Sequence, residues 1–298
     1  MSSEMTHTHT HTHEPEFSPK LTVLSFSGGT GSGAIIEMVL RGDLPRPEPF
    51  IVVNADPGME NIQTYTYVDD VEVRCNAAAI PFIRVKRNLY KELLALKASG
   101  ATRFDTPPLW TKNRKTGKKG RLLQKCTGAF KIAPMDRAVR AWMAEHLGIS
   151  RKTKRLGQNI VRKWIGFSQD EWMRIKEAKQ NYIYFEYPLI DRKMTKAGIA
   201  GYFLSIGRPL PARSVCNACF ANDVATFREM HDNRPADFEQ ACLIDDEIRD
   251  LSCIGVQDEC YVSSTLIPLR QLALQGFELD AKVIEQDAET CHSGHCFV

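Results

Sequence analysis

Cys216 and Cys219 form a C-x-x-C pair, a spacing at which two thiolates can bind one metal ion from a turn that enters a helix. Pro211 and Arg213 precede the pair, where they stiffen the approach and keep it electropositive, which favours the thiolate form. From spacing alone the pair could hold an iron–sulfur cluster or structural zinc, form a redox disulfide, or be inert. The sequence therefore predicts metal or sulfur chemistry at this point.

A glycine-rich segment, SGGTGSG at 27–33, follows the apolar run LTVLSF and precedes a helical pattern. Such a loop presents backbone N–H groups and a helix N-terminus, and both bind phosphate. A Walker P-loop is excluded because no lysine follows the glycines. The Rossmann pattern G-x-G-x-x-A is matched by Gly29, Gly31 and Ala34, and Asp56 lies near the place of its ribose-binding acid. The loop alone leaves the Rossmann interpretation open.

The same loop also resembles the SGGxDS pyrophosphate loop of the PP-loop ATP pyrophosphatases, which are the adenine-nucleotide alpha-hydrolases. Gly31 stands where this superfamily has an aspartate. The resemblance implies that ATP binds with its pyrophosphate on the loop residues, namely Ser27, Gly28, Gly29, Thr30, Gly31 and Ser32.

Four further segments resemble, in the same order, the PAPS-reductase-like members of that superfamily, including phage and DNA-phosphorothioation relatives. They are NADPGME at 54–60, CTGAFKIAP at 126–134, WIGFSQDE at 164–171, and the stretch at 187–219 that runs from YPL to RSVCNAC. Several ordered segments are a more specific match than three small residues, so the PP-loop interpretation is favoured over the Rossmann one.

The resemblance implies roles for single residues around the nucleotide. Asp56 and Glu60 would lie near the nucleotide or a magnesium ion. Lys131 would neutralise a phosphate, and Arg174 would face the nucleotide. Asp56, Lys131 and Arg174 are therefore the predicted catalytic residues.

The resemblance also implies a role for the cysteines. Cys126, Cys216 and Cys219 would hold a 4Fe–4S cluster, with one iron left open for hydrosulfide, and zinc is the alternative metal. A fourth ligand could come from any of four cysteines, namely Cys253, Cys260, Cys291 and Cys296. Cys75 and Cys242 fall in helical patterns and are predicted to be core residues.

Strand and helix patterns alternate along the chain, which indicates an α/β fold with a parallel sheet and helices on both faces. Ser168 and Glu171 form an S-x-x-E capping box that predicts a helix start. The predicted strands are 21–26, 50–54, 82–86, 161–167 and 182–187, and the predicted helices include 59–78, 135–147 and 169–180. The predicted regions are a purification tag or disordered segment at 1–17, a nucleotide-binding domain at 18–232 and a helical Cys-bearing C-terminal region at 233–298.

Positive charge is concentrated in two segments without acids. Without residues 1–17 the chain has 39 basic and 33 acidic residues, and 13 of the basic ones lie in the insertions 111–125 and 151–163. Such segments favour a nucleic-acid partner, DNA or tRNA, over the alternative of solvated or disordered loops. Nine cysteines, an odd number, without a secretory signal favour a reducing cytoplasm, and no apolar run is long enough for a membrane span.

The leading hypothesis from the sequence is an ATP-dependent sulfurtransferase that adenylylates a nucleic acid, releases pyrophosphate and transfers sulfur through an iron–sulfur cluster. It implies ATP, Mg²⁺ and a sulfur donor such as a cysteine desulfurase, with a homodimer as one possible assembly. The tail at 291–296 contains Cys291 and Cys296 and could carry a persulfide, complete a metal site or be disordered. Two alternatives remain, a PAPS or adenylyl sulfate reductase and a catalytically degenerate nucleotide-binding subunit of a DNA-modification or defence system.

Overall fold

The computed structural model describes residues 19–100 and 107–279. Its central sheet has five parallel strands in the order β3-β2-β1-β6-β7. From β1 the chain first builds the sheet in one direction and then, after β3, continues on the other side of β1. Ligands bind at such a switch point, beside the carboxyl ends of the strands. The strands are β1 Leu21–Phe26, β2 Phe50–Asp56, β3 Phe82–Lys86, β6 Val161–Trp164 and β7 Ile183–Glu186.

Helices cover both faces of this sheet, as the sequence predicts. Leu24 and Phe26 of β1 pack towards α1, α2 and α6, whereas Leu21 and Val23 pack towards Met143 of α4. Both faces of β1 are therefore buried, which explains its nearly continuous apolar sequence. The helices are α1 Thr30–Arg41, α2 Ile62–Ala77, α3 Leu89–Ser99, α4 Ala133–His146, α5 Pro188–Asp191, α6 Lys196–Ser205, α7 Val224–Asn233, α8 Pro235–Glu247 and α9 Leu269–Leu274.

Besides the cores on the two faces of the sheet, a third core joins the C-terminal region to the part of the chain that follows β2 and β3. Side chains of α7, α8 and α9 pack against α3 and against Phe130, which belongs to a π-helical turn at Thr127–Ile132. A small antiparallel sheet lies beside this core in the order β5-β4-β8. Its strands are β4 Trp110–Lys112, β5 Lys119–Arg121 and β8 Glu259–Tyr261. The first basic segment is thus a folded hairpin that is paired with the C-terminal region.

One predicted helix is wrong in extent. The segment predicted at 169–180 forms only a 3₁₀ turn, Gln169–Arg174, which begins at the predicted Ser168–Glu171 capping box. The chain then leaves the helical path because the Tyr187 hydroxyl donates to the Lys176 carbonyl and accepts from the Lys176 N–H. The tertiary contact with Tyr187, the residue before α5, therefore overrides the local helical pattern.

Two predictions lie outside the described residues, namely the tag at 1–17 and the tail with Cys291 and Cys296. Within 19–100 and 107–279, no helix combines the length and the apolar character that a bilayer span requires.

Candidate functional site

The glycine loop lies at the carboxyl end of β1, at the switch point of the sheet. Gly28 has a φ of +80°, and a Cβ there would lie 2.6 Å from the Val68 side chain. The hydroxyls of Ser27 and Ser32 are 3.1 Å apart, and Ser32 Oγ also accepts from the Ser27 N–H at 3.1 Å. The loop is therefore a closed, tight turn that leads directly into the N-terminus of α1.

Gly31 touches the backbone of a distant segment. A Cβ at Gly31 would overlap the carbonyl oxygen of Gly166, the second residue after β6. The contact is mutual, since a Cβ at Gly166 would lie 2.6 Å from the Gly31 carbonyl carbon. Only glycine fits at both positions, so no aspartate can occupy position 31 in this arrangement.

A narrow cleft lies beside the loop, at the ends of β1 and β2 and against Arg84 of β3. It is lined by Ser27, Asn54, Ala55, Asp56, Glu60, Thr64, Tyr65, Val68 and Arg84. Asp56 Oδ1 accepts from the Gly58 N–H at 2.7 Å and from the Tyr65 hydroxyl at 2.8 Å. Burial and the charge and hydrogen bond of Asp56 raise the pKa of Tyr65, which therefore keeps its proton and donates. The structure thus fixes one oxygen of Asp56 before any ligand binds.

Two buried polar atoms of cleft residues have no hydrogen-bond partner among the described residues. They are Oγ1 of Thr64, a residue only 1% exposed, and Nε of Arg84. The Arg84 guanidinium is otherwise tied by Nη2 to Asp69 at 2.7 Å and to Glu72 at 2.6 Å. Sequence reasoning did not select Arg84, although a single arginine inside the apolar strand FIRVK was a signal for it. Unsatisfied buried groups suit a polar ligand in this cleft.

Glu60 connects this cleft to the cysteine loop. Its buried carboxylate accepts from Lys131 Nζ at 3.1 Å through Oε1 and from Ser214 Oγ at 3.2 Å through Oε2. Glu60 also forms an isolated antiparallel bridge with Cys216, and the Asn217 N–H donates to the Met59 carbonyl at 2.7 Å. The structure therefore brings three predicted site residues, Glu60, Lys131 and Cys216, to one place.

The three predicted cysteines surround a buried tyrosine. The Tyr90 hydroxyl donates to the Ala218 carbonyl inside the C-x-x-C turn, where the Cys219 N–H donates to the Cys216 carbonyl at 3.0 Å. Burial raises the pKa of Tyr90, and negative charge on Cys216, Cys219 and Cys126 raises it further. Burial alone would lower the pKa of Lys131, but the charge and hydrogen bond of Glu60, together with any negative charge on Cys216 and Cys219, raise it, so Lys131 is a cation.

These cysteines do not form a recognisable metal centre in the described part of the chain. Over 19–100 and 107–279, no group of three or more His, Cys, Asp or Glu side chains could hold a metal ion. The structure therefore gives the predicted 4Fe–4S cluster, and its zinc alternative, no support. Of the proposed fourth ligands, Cys260 is buried and Cys253 is exposed.

Three other cysteines are buried thiols of low reactivity. Cys75 and Cys242 are fully buried in α2 and α8, which confirms their prediction as core residues, and Cys260 is fully buried in β8. Burial raises the pKa of each of these thiols to about 12. Almost none of the reactive thiolate is present at neutral pH.

We expect iodoacetamide at about pH 8 to leave Cys75, Cys242 and Cys260 unlabelled in the native protein. Denaturation should expose them, and peptide mass spectrometry would score each site. Exposed Cys253 is the internal control and should react at once. Labelling of Cys75 at the rate of Cys253 would contradict the packing described here.

Because of the same three thiols, we expect the free energy of unfolding to fall in alkali. Their pKa is raised in the folded state, so between about pH 9 and 12 the folded chain binds more protons than the unfolded one. Their contribution is therefore complete below about pH 9 and is lost as the pH rises towards 12. Urea unfolding across this range would measure the decline, which Cys75→Ala should make shallower.

Arg174 is held by two neighbouring side chains, and its buried Nη2 has no hydrogen-bond partner among the described residues. Its Nη1 is paired with Glu171, and its guanidinium lies 4.2 Å from the Phe167 ring centroid. Phe167 directly follows Gly166, so Arg174 packs behind the segment that touches the glycine loop. The structure thus brings Arg174 near the loop, while its role towards a nucleotide stays a prediction.

A buried acid that the sequence did not reveal ties the loop helix to the cysteine lead-in. Glu37 of α1 is 1% exposed and accepts from Tyr67 at 3.1 Å and from both terminal nitrogens of Arg74. Arg208, which lies in the approach to Cys216, also contacts Glu37 at 3.3 Å. The lone acid in the apolar helix AIIEMVLR was the only signal for this cluster in the sequence.

The fold and the site together define an α/β protein with a glycine loop at the switch point of a parallel sheet. No family model and no curated protein matches the chain. Among solved structures, it is similar to the NH3-dependent NAD synthetase of Campylobacter jejuni in complex with nitrate. The identity is 12%, the match covers 89% of this chain and 90% of that one, and the TM-score is 0.30. A likeness this low carries no argument about function, which rests on the geometry of the site.

Proposed function

We propose that this protein is a PP-loop, PAPS-reductase-like enzyme that uses ATP to adenylylate an acceptor and then transfers sulfur to it. The observation that carries the proposal is the position of Glu60, which lines the nucleotide cleft and contacts Lys131 and Ser214 beside Cys216. A nucleotide on the loop and a sulfur on the C-x-x-C turn would therefore share one reaction space.

The proposed first step is attack of an acceptor oxygen on the α-phosphorus of ATP. The bond from this phosphorus to the bridging oxygen breaks, and pyrophosphate leaves with the electron pair. Backbone N–H groups at the N-terminus of α1 and the Lys131 ammonium stabilise the growing negative charge. The unpartnered Thr64 and Arg84 atoms would satisfy their hydrogen bonds on the nucleoside.

Magnesium would reach this site with the triphosphate. Mg²⁺ is usually bound by one or two carboxylates together with substrate phosphates. Asp56 fits this use because its Oδ1 is already held by Gly58 and Tyr65, which orients the carboxylate at the cleft. Both oxygens of Glu60 are engaged by Lys131 and Ser214, so Asp56 is the better ligand.

The proposed second step moves sulfur through the thiols themselves. A persulfide on Cys216, loaded by a cysteine desulfurase, attacks the acceptor carbon with its terminal sulfur, and AMP leaves with the electron pair of the C–O bond. The Cys219 thiolate then attacks Cys216 Sγ, which releases the thiolated product and leaves a disulfide. A dithiol reductant restores the pair. A 4Fe–4S cluster held by Cys126, Cys216 and Cys219 would be a different sulfur carrier.

The proposed acceptor is a nucleic acid, DNA or tRNA, and the proposed setting is a reducing cytoplasm. The acceptor assignment is supported by the basic hairpin beside the cysteine loop. A homodimer is one proposed assembly, and a measurement of the molar mass in solution would test it.

Anaerobically purified protein should release pyrophosphate from ATP when acceptor nucleic acid is present. A coupled pyrophosphate assay, with adenylyl sulfate as the competing substrate, distinguishes the proposed reaction from that of a sulfonucleotide reductase. Absence of release under all conditions, with retained ATP binding, would overturn the proposal in favour of a degenerate nucleotide-binding subunit. A visible absorbance band that Cys126→Ala abolishes would show that an iron–sulfur cluster, rather than a persulfide, carries the sulfur.

A further inference from the structure

The two basic segments lie on opposite sides of the central sheet along the strand direction, one near the amino ends of the strands and one near their carboxyl ends. Residues 151–160 lead into the start of β6, where Val161 pairs with Leu21 and the Lys20 N–H donates to the Ile160 carbonyl at 2.9 Å. The glycine loop follows the other end of β1, whose six residues span roughly 20 Å. The exposed residues 151–155 of the second basic segment are therefore far from the glycine loop, although both segments look alike in sequence.

The hairpin segment, in contrast, is anchored to the cysteine loop. Trp110 Nε1 donates at 3.0 Å to the carbonyl of Phe220, the residue that follows Cys219. The Arg121 guanidinium lies 5.5 Å from the Trp110 ring centroid and 5.6 Å from that of Phe220. Lys119 Nζ lies 4.5 Å from the Trp110 ring centroid. Lys119 and Arg121 of the hairpin are thus held beside the turn that contains Cys216 and Cys219.

The tip of this hairpin is rigid. Asn113 Oδ1 accepts from the backbone N–H groups of Lys115 at 3.1 Å and Thr116 at 2.9 Å, and Gly117 supplies the left-handed residue with a φ of +69°. Asn113 Nδ2 donates to Asp258 at 2.9 Å, which fixes the tip to the C-terminal region. A fixed tip presents its charges without the entropy cost of ordering a loop.

Three lysines of the hairpin are available to an anion. Lys112, Lys115 and Lys118 are exposed and form no ion pair with a described residue. Three acids lie near these lysines: Asp250 is paired with Arg114 at 3.2 Å, Asp258 accepts from Asn113 at 2.9 Å, and Glu259 stands opposite Lys112 in the β4–β8 register. The six basic residues of 110–121 outnumber these three acids, so the hairpin region carries a net positive charge.

We infer that the hairpin 110–121 binds the sugar–phosphate backbone of the acceptor nucleic acid and directs it to Cys216 and Cys219, and that segment 151–155 does not. The inference rests on the proposed function for the role of the acceptor, and nucleic-acid binding itself can be measured without ATP. Phosphate contacts position a strand without reading its sequence, which suits a surface made of lysines on a rigid turn.

The test compares two variants with the same change of charge in the full-length protein. The hairpin variant is Lys112→Gln, Lys115→Gln, Lys118→Gln, and the matched control is Lys152→Gln, Lys154→Gln, Arg155→Gln on the opposite side of the sheet. Binding of short labelled single-stranded RNA, single-stranded DNA and duplex DNA would be measured by fluorescence anisotropy across a salt series. Both sets are exposed, and the thermal unfolding midpoint would show that each variant folds.

The hairpin variant should bind about 10- to 100-fold more weakly, with a salt slope for single strands lower by about 2, whereas the control keeps wild-type affinity. Replacing the same lysines with arginine should restore binding. Equal losses in both variants, or equal competition by polyglutamate, would overturn the inference. Pyrophosphate release by a wild-type protein that binds no nucleic acid would overturn it as well, while leaving the adenylylation proposal standing. The RNA and DNA arms identify which backbone the hairpin prefers.

Discussion

Gly31→Asp, which would install the aspartate of the SGGxDS loop, is expected to destabilise the protein and to abolish nucleotide binding. The new Cβ would overlap the Gly166 carbonyl oxygen, and backbone on both sides prevents a side-chain adjustment. Forcing the segments apart should lower the free energy of unfolding by about 3 kcal/mol, the upper end of the range for overpacking. Urea unfolding and ATP titration calorimetry would measure the two effects.

Gly201→Ala is the matched control for this substitution. Gly201 is exposed inside α6, and a Cβ there would contact nothing within 4 Å. This replacement should stabilise the helix by up to about 1 kcal/mol because alanine is the better helix former. If Gly31→Asp were as stable as Gly201→Ala and bound ATP normally, the close approach of Gly31 and Gly166 would be wrong.

Lys131→Met is the second substitution with a large expected effect. It would leave the Glu60 carboxylate, which is 5% exposed, without its cation, so the free energy of unfolding should fall by about 3 kcal/mol. If Lys131 stabilises the leaving pyrophosphate as proposed, loss of its positive charge should also reduce pyrophosphate release by about a hundredfold or more. Steady-state kinetics and urea unfolding would separate the two losses.

The double variant Glu60→Gln, Lys131→Met distinguishes a structural role from a chemical one. Removing both charges should recover most of the stability, because no unpaired charge stays buried, while pyrophosphate release should remain lost. Lys91→Met, at an exposed position of α3, should change neither quantity. Recovery of activity in the double variant would show that Lys131 acts only on folding.

The sequence was sufficient to predict the sheet and its loop. Strands β1 and β3 match the predicted bounds, because buried parallel strands are short apolar runs that turn residues interrupt. The glycines at 28–33 marked the tight turn between β1 and α1, and helical spacing placed Cys75 and Cys242 in the core. These are local properties, since a few neighbouring residues determine each of them.

Which residues distant in sequence contact each other was decided only by the tertiary structure. It set Gly31 against Gly166 and joined Glu60 to Lys131 and Ser214, all pairs of residues that are far apart in sequence. It also separated two basic segments of similar composition, one beside the thiols and one on the opposite side of the sheet. Spacing along a chain carries no information about such pairs, because the crossing order of the strands and the packing of the C-terminal region determine them.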